Sequence, residues 1–286
     1  MEKQEIVFSN DGVDLIGWLA TPANESNCPL IILTHGLSGI VDLDLESYAE
    51  IFNAAGFACL AYDHRNWGRS GGSPRGETNP WQQVADMREA ISFARTLPDI
   101  DPERIGLWGT SYAGGHVLTV TALDRRVRCA VSQVPLISGS KTFEAWVPAD
   151  KRDKFLTRLG VDRDKRYRGE DPASIPAALP DSETEEWIKH SDTKGTYSNS
   201  LTVRSFDLLR TYEPASFVER IAPTPLLMIV ASQDVQTPTA WQLEAYEKIG
   251  GSNKQLLEID CRHYDVYMGQ LEEAAAGALA WYQQHL

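Results

Sequence analysis

The sequence predicts an α/β protein built on a mostly parallel, doubly wound sheet. Short uninterrupted apolar runs alternate with segments of helical periodicity, a pattern typical of strands that are buried on both faces of a parallel sheet. The length of 286 residues suits one large α/β domain. Apolar residues make up 42% of the chain, which is typical of globular proteins. The parallel strands are therefore expected to be joined by right-handed crossovers.

The elements can be assigned in chain order. Asp11-Gly12 lies between two apolar runs and predicts a β-hairpin with strands at 5–8 and 15–20. Further strands are predicted at 29–34, 57–62, 104–108, 127–134, 225–230 and 254–259. Helices are predicted at 45–54, 81–97, 112–124, 238–249 and 266–284. Gly56 and Pro98 end the first two of these helices, as glycine and proline commonly do.

Residues 138–212 interrupt this alternation, because they are rich in charge and contain no strong strand pattern. Since a structureless loop of this length is rare in a compact domain, we expect a helical cap inserted into a core formed by 1–137 and 213–286. Trp146 and Trp187 in this cap are candidates for the apolar wall of a substrate pocket. The alternatives are that these tryptophans form the cap's own core, or that the insertion is decorative or forms a homodimer surface.

The net charge of the chain indicates which kinds of partner are not expected. Against 27 Lys and Arg stand 40 Asp and Glu, which gives a net charge of −13. Such a field repels nucleic acid and anionic membranes, so neither is expected as a partner. The four cysteines are widely spaced and are expected to be reduced thiols. No signal-peptide core and no apolar run of about 18 residues is visible, so we expect a cytoplasmic protein.

Two serines are candidates for a nucleophile. The literal pattern Gly-x-Ser-x-Gly surrounds Ser70, but the Gly-Gly-Ser-Pro that follows this serine cannot start a helix at once. A nucleophile elbow requires a strand, a sharp turn and a helix whose N-terminus stabilises developing negative charge. Ser111 has that context, and the small residues Gly109 and Ala113 stand where strand and helix approach. We therefore predict Ser111 as the nucleophile; the alternative is a structural serine at a helix N-cap.

A serine hydroxyl needs a histidine to take its proton and a carboxylate to orient that imidazole. In one known order of these catalytic residues along the sequence, the serine comes first, the carboxylate second and the histidine last. His263 follows the final predicted strand and is the predicted base. His285 lies at the chain end, His116 on the helix after the serine and His190 in the expected cap, so all three are weaker candidates.

The predicted acid is Asp234, which follows strand 225–230 at the edge of the sheet where ligand sites form. Pro238 is expected to start the next helix as its first residue. The alternative is that Asp234 only caps a turn. Asp260 and Asp265 flank the predicted base and are the reserve candidates for the acid.

Acyl transfer develops an oxyanion, which requires aimed N–H donors. The predicted donors are the backbone N–H groups of Tyr112, directly after the nucleophile, and of Leu37, in the loop after strand 29–34. His35 in the same loop is expected to have a structural role.

Taken together, these motifs resemble the α/β-hydrolase superfamily over nearly the whole chain. The segments that carry the resemblance are 33–36, 63–72 and 109–115, together with Asp234 and His263. Within the superfamily the chain looks like the dienelactone-hydrolase-like and acyl-peptidase-like branch. It is also similar to the fungal polyketide-tailoring group, which includes hydrolases and polyketide transferases. That similarity implies an acyl-enzyme on Ser111, formed from a thioester- or ester-bound polyketide.

These observations favour an esterase or thioesterase with Ser111, Asp234 and His263 as its triad. Its partner is expected to be a small acyl substrate, free or carrier-bound, and neither a metal nor an organic cofactor is expected. The first alternative is an acyltransferase with the same residues, in which an alcohol replaces water as acceptor. Another is carbon–carbon bond hydrolysis on the same fold, and the last is a non-catalytic binding protein.

Overall fold

An eight-stranded sheet forms the centre of the computed structural model, which describes residues 1–23 and 25–286. Its spatial order is β1-β2-β4-β3-β5-β6-β7-β8, with β2 antiparallel to both neighbours and every other pair parallel. The predicted fold class is confirmed. The strands are β1 Gln4–Asn10, β2 Val13–Ala20, β3 Cys28–Thr34, β4 Ala58–Tyr62, β5 Ile100–Thr110, β6 Val127–Gln133, β7 Leu226–Ala231 and β8 Lys254–Ile259.

Helices cover both faces of this sheet. Because successive strand residues point to opposite faces, Leu30 and Ile32 of β3 pack in one core and Ile31 and Leu33 in the other. The first core includes residues of α2, α3 and α8, and the second includes residues of α1 and α9. Burial on both sides explains the uninterrupted apolar runs. These five helices are α1 Leu45–Ala54, α2 Pro80–Ala94, α3 Tyr112–Leu123, α8 Thr239–Lys248 and α9 Leu271–His285.

Several element ends differ from the sequence prediction. The strand β5 is longer than predicted, because Ile100 pairs with Cys28 beyond a register shift. The last helix starts at Leu271, since residues 265–267 form a separate 3₁₀ turn. Pro238 lies at the N-cap of α8 and not at the first helical position. The hairpin turn lies as predicted, with positive φ angles at Asp11 and Gly12.

The chain order of the strands places the site. After β3 the chain adds β4 on one side, and it then returns to add β5 on the other. The carboxyl ends of β3 and β5 therefore lie side by side, with Thr34 paired to Gly109. In open α/β sheets this switch point is where ligands bind. The loop after Thr34 and the turn after Thr110 meet there.

The 138–212 segment lies between β6 and β7 and is mainly helical. Ser138 and Ser182 cap its first and third helices by accepting from the backbone N–H groups of Lys141 and Glu185. A ribbon of two residues per strand, which was not predicted, pairs 174–175 with 201–202. That the segment acts as a separate cap stays a prediction. Its helices are α4 Gly139–Trp146, α5 Ala149–Tyr167, α6 Glu183–Ser191 and α7 Val203–Leu209. Among the helices of the described residues, none has the length and apolar character required to cross a membrane.

Candidate active site

Ser111 sits on a strained turn between β5 and α3. Its φ of 56° and ψ of −119° are unusual for a residue with a side chain. Its N–H donates to the Gln133 carbonyl at 2.8 Å, and its carbonyl accepts from Leu136 N–H at 2.9 Å. Gly109 is required here, because a Cβ at this position would lie 2.5 Å from the Ala113 carbonyl oxygen. The Ser111 hydroxyl makes no N-cap hydrogen bond, so it is free of the structural role considered as the alternative.

His263 and Asp234 complete a hydrogen-bonded chain with this serine. His263 Nε2 lies 3.0 Å from Ser111 Oγ, and His263 Nδ1 lies 2.7 Å from Asp234 Oδ2. An ionised carboxylate only accepts, so Nδ1 carries the proton and Nε2 is left to accept from the serine hydroxyl. The imidazole is 1% exposed, which keeps it in this one orientation.

Asp234 is held by a second set of hydrogen bonds that the sequence did not reveal. Its Oδ1 accepts from the backbone N–H groups of Gln236 and Thr237, at 2.8 and 2.9 Å. Its Oδ2 also accepts from Thr237 Oγ1 and Gln242 Nε2, at 2.8 and 3.2 Å. Burial acts to raise the pKa of Asp234, but attraction to the imidazolium form of His263 and the hydrogen bonds from His263 and Thr237 outweigh it and lower that pKa. The carboxylate therefore stays ionised beside the imidazole.

The reserve acids lie in other networks. Asp260 accepts from Ser232 Oγ and Gln233 Nε2, at 2.7 and 2.9 Å. Asp265 binds the backbone and guanidinium of Arg262, and so closes the loop that carries His263. Neither carboxylate has a hydrogen bond to that imidazole among the described residues.

Three other histidines form a buried cluster whose rings meet edge to face. The ring centroids of His35 and His64 are 4.4 Å apart, and those of His64 and His116 are 5.8 Å apart. Burial lowers the pKa of all three, to about 3 for His116. They are therefore neutral at ordinary pH. His190 lies in α6, and His285 packs on Trp281 at the chain end.

The loop of Leu37 lies against Ser111, as the oxyanion prediction requires. A Cβ built on Gly36 would lie 3.0 Å from Ser111 Cβ and 3.5 Å from its Oγ. Within the described residues, neither the Leu37 nor the Tyr112 N–H donates to a protein acceptor. His35 accepts from His64 N–H at 3.2 Å, so its Nδ1–H is the group that faces the Gly36 carbonyl at 3.1 Å. That contact fixes the Gly36–Leu37 peptide, whose N–H points away from its carbonyl.

A chamber of about 520 Å³ opens above Ser111 and His263. Trp146 and Trp187, both predicted for its wall, line it. Trp146 Nε1 donates to the Gln236 carbonyl at 3.1 Å, and the Trp187 ring stacks on Tyr264 at 5.2 Å. Most of the remaining lining is apolar and comes from the 138–212 segment and from residues 37–45. Size and lining fit an acyl chain or a ring system.

Two charged residues of the chamber wall were not predicted from the sequence. Asp44 accepts from Trp187 Nε1 and, at 2.7 Å, from Ser191 Oγ, so it joins the 138–212 segment to the start of α1. Burial raises the pKa of the Asp44 carboxyl. Lys151 lines the same chamber from α5. Asp44 stood in an unremarkable loop sequence and Lys151 in a charged helix, so no local pattern marked either.

Comparisons with known proteins agree with this architecture. The family model described as alpha/beta hydrolase fold matches residues 29–269. The quorum-quenching protein AidA of Acinetobacter baumannii is 30% identical, over 94% of this chain and 90% of its own. The thiohydrolase aneE of Aspergillus aculeatus is 28% identical, over 94% of this chain and 88% of its own.

A solved structure gives the same result over the full length. The crystal structure of the alpha/beta hydrolase GrgF from Penicillium sp. sh18 matches with a TM-score of 0.88 and 27% identity, covering 100% of this chain and 99% of that one. The Penicillium protein grgF is named a polyketide transferase. The superfamily resemblance drawn from the motifs is therefore confirmed.

Proposed function

We propose that this chain, which belongs to the alpha/beta hydrolase fold family, is a serine hydrolase that cleaves acyl thioesters. The observation that carries the proposal is the hydrogen-bonded chain from Ser111 Oγ through His263 to Asp234 at the floor of an apolar chamber. The thiohydrolase and polyketide transferase names of its relatives support a thioester as the bond that is attacked.

In the first step Ser111 forms the acyl-enzyme. His263 Nε2 takes the hydroxyl proton as Ser111 Oγ attacks the carbonyl carbon. The Leu37 and Tyr112 N–H groups stabilise the oxyanion that develops. The carbon–sulfur bond then breaks, and His263 returns its proton to the departing sulfur as the thiol leaves.

In the second step the acyl group leaves the enzyme. Water loses a proton to His263 and attacks the ester carbonyl, the bond to Ser111 Oγ breaks, and the proton returns to that oxygen. The product is a carboxylic acid. Throughout, Asp234 stabilises the imidazolium that forms twice in the cycle.

The chamber favours an apolar acyl group. Trp146, Trp187 and Phe155 contribute aromatic surface to it, and we propose that the 138–212 segment acts as a cap that shields the acyl-enzyme. A volume of about 520 Å³ is in the range of pockets that enclose a medium-length chain or a ring system.

A second candidate function is transfer of the acyl group to an alcohol. It is favoured by the match to GrgF over the whole chain, 138–212 included. The two functions use the same acyl-enzyme and differ in whether water or an alcohol attacks it.

Pre-steady-state kinetics tests the proposal. The substrate is the octanoyl thioester of N-acetylcysteamine, with thiol release followed in wild type and in Ser111→Ala. We expect a burst that approaches one thiol per enzyme in wild type and no burst in the variant. Added alcohols that divert the product from acid to ester would establish transfer. Equal thiol release by both proteins would overturn the proposal.

A further inference from the structure

The outer surface of α5 carries a line of positive charge. Lys151, Lys154, Arg158 and Lys165 are separated by three, four and seven residues, a spacing that places them on one side of a helix. All four are exposed. At a rise of about 1.5 Å per residue, the 14 residue steps from Lys151 to Lys165 span about 21 Å. We call these four residues the basic stripe.

The basic stripe is not neutralised by the protein itself. Within the described residues, no carboxylate oxygen lies within 4.0 Å of any of its four cationic groups. Of the other cations of α5, Arg163 contacts Asp207 and Arg166 contacts Asp162 at 2.8 Å, while Arg152 donates to the Glu144 carbonyl at 2.9 Å. Arg158 donates to the Ser174 carbonyl at 3.4 Å, which leaves its charge in place. In a chain with a net charge of −13, a line of cations without carboxylate partners is a departure from the general surface.

The basic stripe begins at the chamber. Lys151 lines the chamber together with its neighbours Val147 and Pro148, and Phe155 lines it one turn further along α5. The carboxylates Asp150, Asp153 and Asp164 lie to one side of the stripe around the helix, and the core face with Leu159 lies to the other. A partner held along the stripe would thus present a tethered group at the mouth of the chamber.

We propose that the basic stripe docks an acidic acyl carrier protein, which delivers its thioester-bound acyl group into the chamber. This rests on the proposed thioester cleavage. A single phosphate or diphosphate is shorter than a line of about 21 Å, whereas an acidic protein helix matches that length. Complementary charge along such a line raises the rate and the affinity of encounter.

Binding tests the docking apart from catalysis. All proteins carry Ser111→Ala to prevent turnover, and the probe is a fluorescently labelled octanoyl-loaded fatty-acid acyl carrier protein. The stripe variant is K154E/R158E/K165E, which leaves the chamber-lining Lys151 in place. The matched control is R125E/R128E/R220E, three exposed cations near the amino ends of β6 and β7, away from the chamber. Melting temperatures check that both variants fold.

We expect the stripe variant to bind the carrier at least about tenfold more weakly than the Ser111→Ala parent, and the control to bind within about twofold of it. Added salt should weaken binding to the parent and the control but change little for the stripe variant. Equal losses in the stripe variant and the control, or no binding to the parent, would overturn the docking proposal.

Kinetics with Ser111 restored separates this proposal from the proposed function. The octanoyl group is offered on the carrier protein, on coenzyme A and on N-acetylcysteamine. We expect the stripe variant to lose kcat/KM on the carrier substrate only. An equal loss with coenzyme A would show a small-phosphate site and overturn protein docking. Stripe-dependent carrier binding without turnover of any thioester would overturn the proposed function while the docking stands.

Discussion

The loop around Ser70 and the turn around Ser111 carry nearly the same motif in different surroundings. Ser70 is 2% exposed, and its hydroxyl donates to the Asp63 carbonyl at 2.6 Å and accepts from Ile16 N–H at 2.8 Å. At Ser111 the backbone N–H and carbonyl are both hydrogen-bonded, and the hydroxyl lies 3.0 Å from His263 Nε2. One serine completes a loop and the other faces a chamber.

The glycines of the two motifs also differ in purpose. Gly68 has a φ of +48°, and a Cβ there would lie 2.2 Å from the Asp63 carboxylate, which binds Arg69 N–H and Val41 N–H. Gly109 is instead required because β5 and α3 approach closely. A motif therefore identifies a nucleophile only when the backbone on both sides is a strand and a helix.

The sharpest test of this contrast compares Ser111→Ala with Ser70→Ala. Loss of the Ser111 hydroxyl should lower kcat by about 10⁶-fold, the cost of removing the nucleophile of a serine–histidine–aspartate triad, because no acyl-enzyme forms. Loss of the Ser70 hydroxyl should leave kcat within about tenfold, since it touches no reacting group. Both are measured by steady-state thioester hydrolysis. If Ser70→Ala showed the larger loss, the assignment of the two motifs would be reversed.

Asp234→Asn tests whether this carboxylate orients His263 beside Ser111. The amide would leave the imidazole in the wrong tautomer, and we expect kcat to fall about 10⁴-fold, the cost of this change at comparable triads. Asp260→Asn is the matched control, because its carboxylate binds Ser232 and Gln233 instead. A comparable loss of kcat in Asp260→Asn would contradict the assignment of Asp234 as the acid and favour Asp260.

Gly36→Ala probes the oxyanion loop. The new methyl group would lie 3.0 Å from Ser111 Cβ, so the loop must move by a few tenths of an ångström and carry Leu37 with it. We expect kcat to fall about 10²-fold with little change in KM. Gly160→Ala in α5, where a Cβ meets nothing within 4 Å, is the control. Unchanged kcat in Gly36→Ala would place the oxyanion donors elsewhere.

Ser70→Ala should reveal its own role in stability. The substitution leaves the buried Ile16 N–H and Asp63 carbonyl without the hydroxyl they share, at a cost of about 1–3 kcal/mol in the free energy of unfolding. Urea unfolding measures it. Ser111→Ala should cost less, because the Ser111 hydroxyl bonds only the His263 imidazole and satisfies no buried backbone group, and because alanine keeps the Cβ and leaves the strain of the turn unchanged. A larger loss for Ser111→Ala would contradict the contrast.

The smallest expected effect is on the pH dependence of stability. The pKa of Asp234 is lowered in the folded state from the ordinary 3.8, so its ionised form stabilises the fold. That contribution is complete above the ordinary value and is lost as pH falls through the lowered one. Asp234→Asn lacks it, so the difference in unfolding free energy between wild type and variant should shrink as pH falls through and below the ordinary value of 3.8. A constant difference would contradict the lowered pKa.

The parts that could be predicted from sequence were those with local signatures. The elbow around Ser111 required small residues, a strand and a helix in immediate succession, and buried strands required apolar runs. The supports of Asp234 came from Thr237 and from Gln242, which stands one turn inside a helix and has no pattern of its own. Asp44 acquired its role only because α6 folds back onto it. Such contacts join distant segments, and a single sequence does not mark them.

Acylation of Ser111 underlies both proposed reactions, and trapping the acyl-enzyme detects it without relying on kinetics. Wild type is mixed with the octanoyl thioester of N-acetylcysteamine, quenched in acid within the burst, digested and analysed by mass spectrometry. We expect an octanoyl group on the peptide that contains Ser111, and none on that peptide in Ser111→Ala. An octanoyl group on the Ser70 peptide, or thiol release with no acylated peptide at all, would contradict it.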